Sequence, residues 1–374
     1  MQVRAPGGAN RISTASVQTF RSDRCRSETL RRKFMSTRAT PDDVRYAYRL
    51  LLGREPDEAG YRHFCTIVDE SSPTVAELAR LFMASREFVF VHGELNKLDK
   101  GTAPEKGVVT LVSQACTQRQ IETPVFRYWA NRMHERPGGL HRKLWEWCFI
   151  SQALYERGML TSGKRGLGFA VGNEPMTSLF AQLGCEILAS DLDSESAGKT
   201  GWVESNQHAS GLAQLNARGL CAPDLFAERV RFRAVDMRAI DDDLRGFDFL
   251  WSSCALEHLG SLQHGLDFVM NAMDCLRPGG VAVHTTELNC DSDVETVETG
   301  DSVVYRQRDL RELAERLQAQ GHMVAPFDFD LGYTEADRYV DEYPYRGPMH
   351  LKLRIGPYAS TSFGLIVTKQ SNAN

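Results

Sequence analysis

Two hydrophobic periods divide the chain. Between residues 40 and 92 apolar positions recur at helical spacing, with Val44, Ala47, Tyr48 and Leu51 on one face and Leu78, Leu81 and Phe82 on another. Thr40 stands as an N-cap with Pro41 at the first helical position, Asp42 and Asp43 suit the positive end of the helix dipole, and Gly53 supplies a stop. Thr74 and Glu77 have capping-box spacing. The pattern predicts a compact helical module over 40–92. Residues 93–120, with Gly101 and Pro104, predict a linker, and 121–162 a helical lead-in to the next domain. That lead-in is rich in aromatics, among them Phe126, Trp129, Trp145, Trp147 and Phe149, of which Trp145 is a candidate for the mouth of a site.

From Gly166 the period changes to short apolar runs separated by amphipathic stretches. Gly166–Val171 reads as a strand, Gly172–Pro175 as a turn, Met176–Leu183 as a helix and Glu186–Ser190 as a second strand ending in Asp191. Strand, turn of small residues, helix, strand and acid make a nucleotide-binding βαβ unit, in which the acid accepts hydrogen bonds from ribose hydroxyls. Further strands are predicted at Val230–Ala234, Phe247–Trp251, Val281–Thr286, Met323–Phe329 and Ser362–Thr368, with helices at 262–276 and Gln307–Gln320. Their sum is an α/β domain over 163–374 with a doubly wound, seven-stranded, mostly parallel sheet, preceded by the small all-α domain.

Composition narrows the setting. The 44 Lys and Arg against 49 Asp and Glu give a formal net charge of −5, which argues against a nucleic-acid partner. Residues 1–37 carry most of their charge as Arg and predict a basic, poorly ordered tail, either solvated or in weak peripheral contact with an anionic surface. The nine cysteines are scattered singly without a C-x-x-C pair, and no run of about 18 apolar residues is present. Reduced thiols in the cytoplasm, with no membrane span and no secretory signal, are the expectation. No recognised metal-ligand spacing occurs, so no metal is expected.

Two resemblances follow from quoted strings. Arg45–Asp57 (RYAYRLLLGREPD), Gly60 and Ala84–Phe88 (ASREF) resemble a short helical domain of unknown function that recurs in bacterial proteins of surface-glycan synthesis and in large secreted proteins. Residues 163–369 resemble the Rossmann-like (class I) S-adenosylmethionine-dependent methyltransferases, through Gly168–Glu174, Asp191, Asp236-Met237, Phe247-Asp248 with Glu257-His258, and Leu276–Gly280, in that order. The resemblance implies S-adenosylmethionine as cofactor. It places Gly168, Ala170, Gly172 and Glu174 around the methionine part, Asp191 on the ribose, Asp236 on the adenine amino group, Met237 against the ring and Ser252 near the amino-acid end. The sequence departs from the family where Gly168 replaces an acid and Ala170 and Glu174 replace glycines. Glu174 then either crowds the loop or takes over polar contacts of the missing acid.

Methyl transfer to a hydroxyl needs a base, and the candidates are His258 after the fourth strand and Glu287 past the fifth, both on the carboxyl edge where ligands bind. Glu257-His258 reads equally as a helix-start pair that orients the loop. The insertion at 330–361 brings Tyr333, Tyr339, Tyr343, Tyr345, His350, Lys352 and Tyr358, suited to a glycan or small hydroxylated acceptor or to an aromatic lid. Competing classes are a protein or nucleic-acid methyltransferase, a non-catalytic cofactor-binding scaffold and a nicotinamide dehydrogenase. The last lacks a G-x-G-x-x-G after its first strand.

Overall fold

The computed structural model describes residues 37–83, 85, 87–88, 101–105, 107–192, 212, 214–347 and 349–370. The basic stretch at 1–36, Ala84 and Arg86 of the ASREF string, and the first part of the expected linker lie outside them. The chain divides into two compact units, Met1–Leu98 and Asp99–Asn374. Among the described residues no helix is long and apolar enough to cross a membrane, and the eight described cysteines are free thiols.

The first unit holds three helices, α1 (Pro41–Leu52), α2 (Glu58–Ser71) and α3 (Val75–Met83). Local chemistry sets their ends: Thr40 and Asp43 bond reciprocally, Thr74 and Glu77 do the same, and Gly53 ends α1 at φ +67°. Val44, Tyr48, Leu52, Val68, Leu78 and Phe82 form the core, with Phe64 stacked on Phe82 at 4.1 Å. Leu81, expected inside, is 43% exposed.

The second unit contains an eleven-stranded sheet among the described residues, not a seven-stranded one. Its parallel centre comprises β2 (Arg165–Phe169), β3 (Glu186–Asp191), β4 (Val230–Ala234), β5 (Phe247–Ser253) and β6 (Leu276–Asn289), in the spatial order β4-β3-β2-β5-β6. The path leaves β2 toward β3 on one side and resumes at β5 on the other, so a crevice opens at the carboxyl ends of β2 and β5. The long β11 (Tyr358–Thr368) runs antiparallel to β6. Extra strands gather on the far side of β11. The expected strand at Met323–Phe329 is broken at Pro326 into β7 (Met323–Val324) and β8 (Phe327–Asp328), because proline donates no ladder bond. Beside the break sits β1 (Ser113–Ala115), from the stretch read as linker, pairing with both β11 and β8. The insertion adds β9 (Val340–Asp341) and β10 (Lys352–Ile355).

Helices cover both faces. On one lie α4 (Gln118–Ile121), α5 (Pro124–Arg132), α6 (Arg142–Glu156), α7 (Met176–Gln182) and α8 (Pro223–Arg229), packed with Phe249, Trp251 and Val283. On the other lie α9 (Leu262–Ala272) and α10 (Gln307–Ala319), packed with Leu167, Leu250 and Leu365; a short α11 (Glu335–Arg338) lies in the insertion. Alternation along β5 sends Phe249 and Trp251 one way and Leu250 the other. Trp145 stacks on Phe149 at 4.8 Å and is fully buried, so it packs the core.

One packing contact bears on the site. Gly265 of α9 comes so close to the turn Leu256–His258 that a Cβ there would lie 1.9 Å from the Tyr305 hydroxyl and 2.7 Å from the Leu256 carbonyl oxygen. Gly265→Ala is therefore expected to cost about 1–3 kcal/mol of stability by overpacking and to push on the turn that carries His258. A denaturant midpoint that falls at constant slope would show it.

Candidate active site

A cleft of about 440 Å³ opens at the carboxyl edge of the parallel strands. Its walls come from the start of α6 (His141, Lys143, Trp147), the turn after β2 (Ala170, Gly172, Asn173, Glu174) and the end of β3 (Asp191, Leu192). The segment after β4 (Val235–Arg238) and the turn after β5 (Ser253–Ala255, His258, Leu259) complete it. Ala170 and Cys254 both hold left-handed backbone, φ +46° and +45°, which non-glycine residues rarely adopt and which clusters at functional sites.

Of the residues expected from sequence, Ala170, Gly172, Glu174, Asp191, Asp236, Met237 and His258 line this cleft. The Asp191 carboxylate accepts from the Gly172 N–H at 3.1 Å and from the Leu192 N–H at 2.9 Å, so the strand-end acid also pins the turn in place. Asp236 accepts the Arg238 N–H at 2.8 Å and is clasped by its guanidinium, Nη2 to Oδ2 3.0 Å. An adenine amino group would share Asp236 with Arg238.

Three expected residues stand elsewhere. Gly168 is a packing position, since a Cβ there would lie 2.4 Å from Trp251 Cζ2 and 2.5 Å from Val171 Cγ1. Ser252 is fully buried and bonded to His284 Nδ1 at 2.8 Å; its neighbour Ser253 reaches the cleft instead. Glu287 is 2% exposed, paired with Arg142 and receiving the Ser360 hydroxyl at 2.5 Å, which removes it as a base toward substrate.

The residues not foreseen come mainly from α6. Glu146, fully buried, accepts from Lys143 Nζ (2.8 Å), Ser253 Oγ (3.2 Å), Cys254 Sγ (3.0 Å) and Ser362 Oγ (2.5 Å). Burial works against its charge, but the Lys143 and then the Arg142 charge, with the hydrogen bonds from Lys143 and Ser362, outweigh it and hold its pKa down at about 2. Lys143 also reaches Glu174 Oε1 at 3.3 Å. Burial raises the Glu174 pKa, against the pull of Lys143. Cys254, Glu257 and Glu287 bring a sulfur and two carboxylates within 4.8 Å of one another. Arg142 sits on Glu287, while the Cys254 thiol stays protonated because burial, and next Glu146, raise its pKa.

Among the described residues, the buried Trp147 Nε1 and Glu174 Oε2 in the cleft wall close no hydrogen bond of ordinary geometry, although Trp147 lies near enough to the Glu174 carboxylate to help lower its pKa. A donor and an acceptor side by side next to the Lys143 cation, which reaches Glu174 Oε1 at 3.3 Å, fit the zwitterionic end of an amino-acid ligand such as the methionine part of S-adenosylmethionine. His258 Nδ1 bonds the Asp301 carbonyl at 2.6 Å, which places the ring proton on Nδ1 and the lone pair on Nε2. Burial lowers its pKa from the ordinary imidazole value.

Within the insertion, rings run outward from the cleft: His141 to His350 (4.4 Å), His350 to Tyr345 (6.1 Å) and Tyr345 to Tyr343 (5.7 Å), the last 83% exposed. Asp341 bonds His350 Nδ1 at 2.8 Å, and Tyr345 donates to the Arg354 carbonyl at 2.8 Å. Lys352 turns inward to the Leu331 carbonyl.

No protein-family model matches the chain, and no curated protein matches its sequence. Solved structures match in chain path. A S-adenosylmethionine-dependent methyltransferase from Clostridium acetobutylicum is 13% identical over 60% of this chain and 90% of its own, with a TM-score of 0.36. The 1,6-didemethyltoxoflavin-N1-methyltransferase of Burkholderia thailandensis, with S-adenosylhomocysteine bound, is 16% identical over 56% and 72%, TM-score 0.35. The (4+2)-cyclase SpnF is 16% identical over 60% and 80%, TM-score 0.40. At these identities and scores the likeness assigns neither a family nor an activity to this chain.

Proposed function

We propose that the protein is an S-adenosylmethionine-dependent methyltransferase that methylates a hydroxyl of a sugar or other small hydroxylated acceptor, in bacterial surface-glycan synthesis. The observation that carries the reading is the convergence in one cleft of the turn after β2, Asp191, Asp236-Met237 and His258, each from a different strand end. Asp191 would hold the ribose, Asp236 the adenine amino group, Met237 the ring, and Gly172 with Lys143, Trp147 and Glu174 the methionine part. When bound, the cofactor supplies a methyl group on a sulfonium centre, already activated for displacement. The protein's own part is to hold the hydroxyl in line, exclude water and accept its proton at His258 Nε2. The run of rings from His141 to Tyr343 supports a sugar acceptor, since such faces stack on sugar rings while nearby polar groups bond the hydroxyls. The resemblance of Arg45–Asp57 to the glycan-associated helical domain supports the setting.

Titration calorimetry with S-adenosylmethionine and with NAD tests the cofactor. Binding of the first and none of the second is expected, and Asp191→Ala should weaken it about ten- to hundredfold by removing a charged acceptor that also anchors Gly172. Equal affinity for NAD, or an Asp191→Ala variant that binds as well as the parent, overturns the assignment. Tight binding with no transfer to any hydroxylated acceptor would favour a scaffold.

A further inference from the structure

We propose that Cys254, Glu257 and Glu287 form a binding site for one divalent cation of the zinc class, with its remaining position open to the cleft. This site does not depend on the methyl-transfer reading above, and it departs from the expectation, taken from spacing along the chain, that no metal is held.

Neighbouring strands bring the three side chains together. Cys254 follows β5, Glu257 lies in the turn after it, and Glu287 is in β6, which pairs with β5. The Cys254 sulfur and one carboxylate oxygen from each acid lie within 4.8 Å of one another. In a tetrahedral zinc site a sulfur and two oxygens stand about 3.5 Å apart, so shifts of about an ångström close these three on one ion. A thiolate with two carboxylates suits zinc, whereas calcium and magnesium take oxygen donors alone. Each side chain is also oriented from behind. Thr286 Oγ1 donates to Glu257 Oε2 at 3.1 Å, Ser360 Oγ to Glu287 Oε2 at 2.5 Å, and the Cys254 N–H to the Thr285 carbonyl at 3.0 Å.

Glu257 is fully buried, and its Oε1 has no hydrogen-bond partner among the described residues. A buried acceptor left unpaired costs stability, and such atoms mark places where a ligand belongs. The nearby cations are already engaged, Lys143 with Glu146 and Glu174, and Arg142 with Glu287. Four acids thus stand against two cations, and among the described residues no ion pair reaches Glu257. Two protons or one dication can make up that difference. Zinc binding would break the S–H bond of Cys254 and the O–H bond of Glu257, form Zn–S and Zn–O bonds, and release both protons to solvent, so the buried cluster gains no net charge. Cys254 is partly exposed and lines the cleft, while both acids are buried behind it. An ion therefore enters past the sulfur and keeps one position on the cleft side for water or an acceptor oxygen.

The test uses full-length protein stripped of metal with a chelator, titrated with cobalt(II) and then with zinc(II). One equivalent of cobalt should give a near-ultraviolet sulfur-to-cobalt charge-transfer band together with the intense visible bands of a four-coordinate ion, and zinc should abolish both. Cys254→Ser should remove the charge-transfer band, whereas Cys65→Ser and Cys290→Ser, at the other two partly exposed thiols described, should keep it. Glu257→Gln preserves the side-chain shape and should weaken cobalt binding about ten- to hundredfold. Zinc should raise the thermal midpoint of the parent and leave that of Cys254→Ser where it is. X-ray absorption at the zinc edge of the parent, which needs no variant to fold, should show one sulfur and otherwise oxygen neighbours. No charge-transfer band, a band that survives Cys254→Ser, an equal zinc-induced shift in both proteins, or a zinc without sulfur would each overturn the proposal. Calorimetry with S-adenosylmethionine on the metal-free protein bears on the methyltransferase reading alone, and either result there leaves the cobalt result standing.

Discussion

Arg142→Met is expected to destabilise the second unit by about 3–5 kcal/mol, and Glu287→Gln by a similar amount, because each leaves the other charge buried and unpaired. The Glu287 side chain is 2% exposed and that of Arg142 13%, so little water reaches either. Burial works against the Arg142 charge, and the Glu287 carboxylate outweighs it and raises the pKa. Replacing both residues with Met should restore most of the loss, since an apolar pair of similar volume removes both desolvation penalties. Denaturant titration of the parent, both single variants and the double variant gives the coupling as a cycle. Single-variant losses that simply add in the double would show that the pair is not coupled. The pH dependence should change as well. Glu257 is pushed up to about 8, first by burial and second by the Glu287 charge. A carboxyl group raised from 4.5 keeps a proton in the folded state that the unfolded chain releases. Its contribution to stability is full below about pH 4.5 and is lost as the pH rises through about 8. Glu287→Gln, by removing the second cause, should narrow that window from its upper end.

Local rules of spacing made the centre of this fold readable and left its edge unreadable. The strand, turn, helix, strand and acid from Gly166 to Asp191 lie where periodicity placed them, because each element there is long enough to show its own period and closes on a neighbour in sequence. β1 carries no such signal. Three residues become a strand only because Gly364 and Phe363 of β11 and Phe327 and Asp328 of β8 lie alongside, more than 200 positions away. Ser252 was misplaced for a related reason: all seven residues of β5 are buried, so no alternation of polar and apolar positions tells which side chain reaches the cleft. Trp145 and Trp147 differ by two positions on a helix, about half a turn, which puts one in the core and the other in the cleft wall. The charged residues of α6 were invisible because hydropathy counts Arg142, Lys143 and Glu146 as surface. Their burial depends on partners in β5, β6 and β11 that spacing along one helix cannot reveal. The faint local sign was Lys143 and Glu146 three residues apart, one helical neighbour distance.

His258→Ala is expected to slow methyl transfer to a hydroxyl acceptor by about 10²- to 10⁴-fold, the usual worth of a positioned base, while affinity for S-adenosylmethionine stays within about twofold of the parent. The separation follows from where the residue sits. Its Nδ1 is spent on the Asp301 carbonyl, and the turn that carries it belongs to the wall after β5, whereas the residues proposed to hold the cofactor come from the ends of β2, β3 and β4 and from the start of α6. His258→Gln should not rescue, because an amide can bond the hydroxyl but cannot take its proton. The pH profile supplies the sharper check. Burial lowers the His258 pKa, so the basic form is reached at a lower pH than for an exposed imidazole. Transfer should rise with pH with its midpoint below the ordinary histidine value of 6.5, and reach its plateau at a lower pH than an exposed imidazole would give. A profile still climbing above pH 8 would assign the proton to the acceptor's own ionisation and remove His258 from the chemistry. A His258→Ala variant that loses cofactor and activity together would move the residue from base to scaffold.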